Sequence, residues 1–195
     1  MRRAILAFHL VLHGYGHWLS NDPRGSGSTE TRNDELKDLG EIHFGRKRVQ
    51  PSREELRAFY REAETRLEFP VVWFRRRFRD AIGAAFGKVV GQKGYTVWAC
   101  AVCSNHAHLL VRTHRDRAEI VWDAFATASR DALRVAGMVP ERHPVWSHRP
   151  YKVFLYLPAE VDDRVGYVEQ NPMKEGLPRQ TWEFVKPCPY RVMEQ

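Results

Sequence analysis

The sequence predicts an α+β domain of the ferredoxin-like kind: a four-stranded antiparallel sheet with helices on one face, followed by a last helix. Three observations predict it. Apolar strand-like and helix-like runs alternate in the order β, α, β, β, α, β, α. The second and third strands are separated only by Ser104-Asn105, a tight turn that makes them antiparallel neighbours. The polar stretch 14–50, with Asn21-Asp22-Pro23-Arg24-Gly25-Ser26-Gly27-Ser28, is turn chemistry and stands outside the alternation.

Taken in order, residues 3–13 are rich in bulky and branched apolar side chains and end at Gly14, as a strand does. Ser52 and Glu55 form a capping box for a helix in which Leu56, Phe59, Tyr60, Ala63 and Leu67 recur at helical spacing, and Pro70 closes it. A second helix is expected from Trp73 to Val90, with Phe78, Ile82, Ala85, Phe86 and Val89 on one face and Arg75, Arg76, Arg77, Arg79 and Lys88 on the other. Tyr95–Cys103 and His106–Thr113 read as paired strands, and Arg117–Ala136 as a third helix stopped by Gly137. Pro150–Leu157 reads as the fourth strand. The last helix is expected to be capped by Asp162 or Asp163 and to end at Asn171, because the residue before Pro172 disfavours helical geometry. The whole of 1–195 is expected to be one catalytic domain with an insertion at about 26–70.

Composition narrows the partners. The chain has 31 Lys+Arg against 24 Asp+Glu, a net charge of +7, which favours a polyanion because each neutralised phosphate releases counterions. Three cysteines are too few for a disulfide framework. No apolar run approaches the ~18 residues of a membrane span, so no membrane partner and a soluble, cytoplasmic protein are expected.

Two motifs carry chemistry. In His106-Ala107-His108 the histidines are two apart on a strand, so both point to one face, about 6–7 Å apart, and can converge on one cation. Ala107 and Leu109 turn to the helix-packed face. In Tyr167-Val168-Glu169-Gln170-Asn171-Pro172, Tyr167 and Asn171 are four apart on a helix and share a face. The Asn171 amide oxygen could complete a two-imidazole site with positions open for phosphate and water. A phenol is a poor nucleophile at neutral pH, and a cation that polarises a phosphodiester beside it lowers that barrier. Attack on phosphorus by Tyr167 expels a 3′ hydroxyl and leaves a 5′ phosphotyrosine, which another 3′ hydroxyl can reverse without ATP. Arg112, Arg149, Lys152 and Lys174 are candidate DNA phosphate contacts, and the Arg75-Arg76-Arg77 run is more simply a solvated helix face.

These motifs resemble the HUH single-tyrosine transposases of the insertion-sequence 200 type, which include the REP-associated tyrosine transposases. The family pattern Pro-Asn-His-U-His-Leu-Leu, with U any hydrophobic residue, is echoed by Ser104-Asn105-His106-Ala107-His108-Leu109-Leu110. Its Tyr-Ile-x-x-Asn-Pro-Val-Lys-x-Gly-Leu is echoed from Tyr167 through Leu177, and an N-terminal Tyr-Gly-x-Trp-Leu-x-x-Asp-x-Arg-Gly from Tyr15 to Gly25. Ser104 departs from the pattern's Pro. The resemblance implies His106 and His108 as metal ligands, Asn171 as the third, and Tyr167 as the DNA-linked nucleophile. Some members use a Gln as third ligand, and Gln170 projects about 100° away from Asn171 on a helix, which favours Asn171. The resemblance also implies Mg or Mn as the divalent cation, although imidazoles suit Zn or Mn. It implies single-stranded or hairpin DNA as partner, and either a monomer or a homodimer that swaps the tyrosine helix.

Three other readings are open to the same residues. Cys100 and Cys103 with the histidines would suggest structural zinc, but on a strand the two thiols face opposite ways. A non-catalytic RRM-like binder would display stacking aromatics on the inner strands, where His106 and His108 stand instead. A domesticated relative that binds hairpins without mobilising DNA would keep every motif.

Overall fold

The computed structural model describes residues 3–30, 34–148 and 151–191. The chain divides into two compact units, Gly14–Val72 and the sequence on either side of it.

The flanking sequence forms the four-stranded sheet, in the order β2-β3-β1-β4 with every pair antiparallel. Its strands are β1 (Ala7–His13), β2 (Val97–Val102), β3 (His106–Arg112) and β4 (Tyr151–Leu155). β1 is shorter than residues 3–13 because its partner runs out: Leu6 N–H reaches Leu155 C=O at 2.8 Å, and Leu157 already belongs to the cap of the next helix. Strand alternation divides the side chains cleanly. Leu10, Leu12 and Leu109 turn to one face, where α2 (Arg76–Lys93) and α3 (Ala118–Val135) pack through buried Ile82, Phe86 and Phe125. Trp122 of α3 donates its indole N–H to Val11 C=O at 3.0 Å, fixing that layer to β1.

α2 begins later than Trp73 because Phe74 is still extended, its N–H held by Ser104 C=O at 2.6 Å. It runs on to Lys93 because Gly94, at φ 69°, takes the left-handed cap and returns its N–H to Val90 C=O.

α4 (Pro158–Lys174) lies on the other face of the sheet. Its boundaries correct the sequence expectation at both ends. Pro158 occupies the first turn, and the Glu160 carboxylate accepts from the Tyr156 and Leu157 N–H groups, so Asp162 and Asp163 lie inside the helix and do not cap it. Pro172 lies inside the helix, which runs on to Lys174; the Pro172 C=O accepts from the Glu175 and Leu177 N–H groups at 3.0 and 2.9 Å, and Gly176 takes φ 73° beyond. Val161, Val165 and Val168 form its apolar stripe against Ala7, Ala101, Leu110 and Leu155. Each such buried side chain contributes roughly 1.5–3 kcal/mol, enough to pin α4 while its neighbouring face stays free for polar groups.

The free edge of β2 is covered by the chain after α4. Gln180 behaves as a piece of strand: its amide oxygen accepts from Val102 N–H at 2.8 Å and its NH2 donates to Val102 C=O at 2.7 Å. Lys186 N–H donates to Val97 C=O. Between them Trp182 and Phe184 lie over Gly83 and Gly87, one turn apart on α2. An edge so covered does not offer its backbone to another chain.

Within Gly14–Val72, α1 (Arg53–Arg66) carries the expected Ser52–Glu55 capping box. A short 3-10 turn at Asp34–Leu39 breaks what the sequence read as continuous turn chemistry, and buries Leu36. Residues of the N-terminal signature serve this unit's own packing. Arg24 forks onto Asp22 at 2.9 and 2.6 Å and lies 4.1 Å over the Trp18 ring, while Tyr60 donates to the same carboxylate. No helix among the described residues is long and apolar enough to cross a membrane.

Candidate active site

β3 and α4 bring five of the sequence-predicted site residues together: His106, His108, Tyr167, Asn171 and Lys174. His106 and His108 point to the α4 face of β3, ring centroids 4.7 Å apart. On α4 the apolar stripe fixes the rotation, and Arg164, Tyr167, Asn171 and Lys174 follow roughly 100° round the helix from it. The Tyr167 ring, 42% exposed, lies 5.6 Å from the His108 ring. Asn171 is buried and donates its NH2 to Tyr167 C=O at 2.9 Å, which turns its amide oxygen the other way. Gln170 is exposed, so Asn171 is the amide that faces inward.

The two imidazoles are held differently. His106 Nδ1 lies 2.8 Å from Asn105 Oδ1, so that nitrogen carries the proton and Nε2 presents a lone pair. His108 Nδ1 lies 3.0 Å from His9 Nε2 on β1. Its own Nε2 is buried; the Asn171 amide pulls on both rings, yet no hydrogen bond of ordinary geometry reaches that nitrogen. Burial holds His108 well below the usual imidazole range, with His106, His9 and His13 adding to the effect. Burial likewise lowers His106, against the opposing charge of Glu175.

A buried nitrogen without a partner, beside a second imidazole lone pair and an amide oxygen, is a donor set that fits a divalent cation. Glu175 adds a negative charge: its carboxylate lies 3.6 Å from His106 Nδ1 and accepts from Ser104 N–H and Oγ–H at 2.9 and 2.7 Å. Ligand atoms of Cys103, His106 and Glu175 lie within 4.8 Å of one another, a second arrangement that could hold an ion. Burial pushes the Cys103 thiol up to about 12, so it stays protonated and is the poorer ligand. The pairing of Cys100 with Cys103 is excluded, since Cys100 stands opposite Leu109 and faces the α2–α3 layer.

Glu175, His9, His13 and Arg164 were not assigned from sequence. His9 meets His108 edge to edge through their 3.0 Å hydrogen bond, and His13 stands opposite His106 in register, ring centroids 6.3 Å apart. Arg164 reaches His9 Nδ1 at 3.0 Å and also lies 5.3 Å from the Tyr167 ring centre. The signal for His9 and His13 was present: they share the parity of a strand, and they are the only two histidines in residues 3–13.

The candidate phosphate contacts separate. Lys174 is at the site, its Nζ 5.0 Å from the Tyr167 ring centre. Arg112 is exposed at the far end of β3, opposite Ala7, about 20 Å along the strand from His106. Lys152 stands opposite Leu10, on the α2–α3 face, and is ion-paired with Glu119 of α3. Arg149 lies outside the described residues. Arg75, Arg76 and Arg77 are exposed at the start of α2, in the layer away from Tyr167.

The chain is similar to a REP-associated tyrosine transposase solved bound to a REP hairpin, with 13% identity over 94% of this chain and 79% of that one and a TM-score of 0.48. It is also similar to a candidate transposase from Deinococcus radiodurans, with 12% identity over 87% of this chain and 92% of that one and a TM-score of 0.42. No protein-family model and no curated protein matches. At these identities neither structure assigns a residue's role, and the chemistry rests on the side chains described above.

Proposed function

We propose that this chain is a transposase that nicks and rejoins single-stranded DNA carrying a hairpin, with Tyr167 as nucleophile and His106, His108 and Asn171 as ligands of a divalent cation, Mg or Mn. The observation that carries the reading is the 5.6 Å approach of the Tyr167 ring to a buried imidazole whose Nε2 lacks a partner. The cation supplies charge neutralisation of the phosphodiester. The chain does the rest. Tyr167 Oη gives up its proton and forms a bond to phosphorus as the P–O3′ bond breaks, and the released 3′ oxygen takes a proton in turn. Lys174 and Arg164 flank the ring at 5.0 and 5.3 Å, placed to meet the phosphate that the phenol attacks. The reverse step, with a new 3′ hydroxyl attacking the 5′ phosphotyrosine, joins strands.

Charge supports the partner. Of the 31 basic and 24 acidic side chains, Gly14–Val72 holds 10 and 11, so the positive surplus belongs to the sheet unit that carries Tyr167. Against a non-catalytic RRM-like binder stands α4, which packs on the sheet face such a module would leave open for bases. The test is cleavage of a hairpin-bearing oligonucleotide with Mn²⁺. EDTA and His106→Ala should each abolish cleavage and leave folding intact; binding and turnover indifferent to both would refute the metal-assisted reading.

A further inference from the structure

We propose that Arg164 holds His108 in the form that cannot ligate a cation, so that filling the metal site requires this guanidinium to release His9. This rests on the reading of His108 as a ligand.

A guanidinium only donates. Arg164 Nη1 lies 3.0 Å from His9 Nδ1, so that nitrogen accepts. Neutral His9 then carries its single proton on Nε2, which donates across 3.0 Å to His108 Nδ1. Neutral His108, accepting at Nδ1, keeps its proton on Nε2, the buried atom with no partner. Both rings are neutral by the same geometry, since each accepts at Nδ1 and an imidazolium has no nitrogen left to accept with. His106 has the opposite tautomer, fixed by Asn105, and its Nε2 lone pair is ready. One ligand is thus prepared and the other is blocked.

A cation takes a lone pair, not an N–H. To present one, the His108 proton must sit on Nδ1, the His108–His9 hydrogen bond must reverse, and the His9 proton must sit on Nδ1. That proton then faces Arg164 Nη1–H, donor against donor, and the guanidinium has to leave. Each ring holds one proton before and after, so none is released to solvent. The freed guanidinium already lies against the Tyr167 ring, at 5.3 Å. Filling the site therefore sets a cation loose beside the nucleophile.

Nitrogen NMR of the imidazoles, on protein labelled with ¹⁵N, reads the tautomers directly. Metal-free protein should show His9 and His108 both protonated at Nε2, and Zn²⁺ should move both to Nδ1. By calorimetry Arg164→Met and Arg164→Gln should bind Zn²⁺ about tenfold more tightly than wild type. Lys174→Met removes a charge from a similar distance to Tyr167 without touching His9, so it measures the purely Coulombic gain and should shift affinity less. Finding His108 protonated at Nδ1 without metal, or Arg164→Met no tighter than Lys174→Met, overturns the proposal. Failure of wild type to bind Zn²⁺, or binding unaffected by His106→Ala, overturns the site reading itself and is seen before any Arg164 variant is made.

Discussion

The Tyr167 ring and the His108 ring meet edge to face, 5.6 Å between centroids, within one chain. The phenol is borne by α4 and the imidazole by β3, and the Val161, Val165 and Val168 stripe sets the helix rotation that joins them. The proposed nucleophile and ligands therefore need no partner subunit to come together, and a monomer is expected to be competent. Mixing Tyr167→Phe protein with His106→Ala protein should restore no cleavage; full recovery in the mixture would show that the tyrosine acts on another subunit's histidines.

Acid should destabilise the metal-free fold through His9. Its folded pKa, about 3, lies below the ordinary 6.5, so between these values the unfolded chain binds the extra proton. Stability from this group is present above pH 6.5 and is lost as pH falls toward 3. Thermal melts in EDTA from pH 7 to pH 4 should show a falling Tm. A His9→Asn variant should show a shallower slope, and equal slopes would contradict the assignment.

The glycines of α2 set a limit on the chain that covers the β2 edge. A Cβ at Gly83 would meet the Trp182 ring at 2.0 Å, and one at Gly87 would meet Phe184 at 3.2 Å. Gly83→Ala should therefore cost about 1–3 kcal/mol by overpacking, despite alanine's better helix propensity. Gly91→Ala, with open space around its Cβ, should be neutral or stabilising. Chemical denaturation of both variants checks the contrast, and equal behaviour would argue against Trp182 packing there.

Much of this site could be read from the sequence because its periodicities are local. Two residues on a strand and four on a helix fix which side chains share a face, so His106 with His108 and Tyr167 with Asn171 followed directly. The four-stranded antiparallel sheet followed from the short Ser104-Asn105 turn and the alternation of elements. What could not be read were pairings set by register. His9 meets His108 only because β1 pairs with β3 at Val11 opposite His108, and no spacing in the sequence states that register. Lys152 misled for the opposite reason: one residue of strand parity turns it from the Tyr167 face to Glu119. The end of α4 was misjudged because the residue before a proline is biased away from helical geometry but not barred from it, and Asn171 stays helical before Pro172.

Lys174 should contribute to the rate more than to binding. Its Nζ lies 5.0 Å from the Tyr167 ring centre, beside the phosphodiester that the phenol would attack, whose departing oxygen gains charge. Lys174→Met should lower single-turnover cleavage about ten- to a hundredfold, with oligonucleotide affinity changed only a few fold. A loss confined to affinity would make Lys174 a DNA phosphate contact only.

The central claim is that Tyr167 takes up the DNA. Protein incubated with Mn²⁺ and a hairpin-bearing single strand, then denatured and digested with nuclease and trypsin, should yield the peptide Val165–Lys174 with a 5′-linked nucleotide on Tyr167. Tyr167→Phe should yield no adduct while still binding the oligonucleotide. Linkage through another residue, or strand cleavage that proceeds undiminished in the Tyr167→Phe protein, would contradict it.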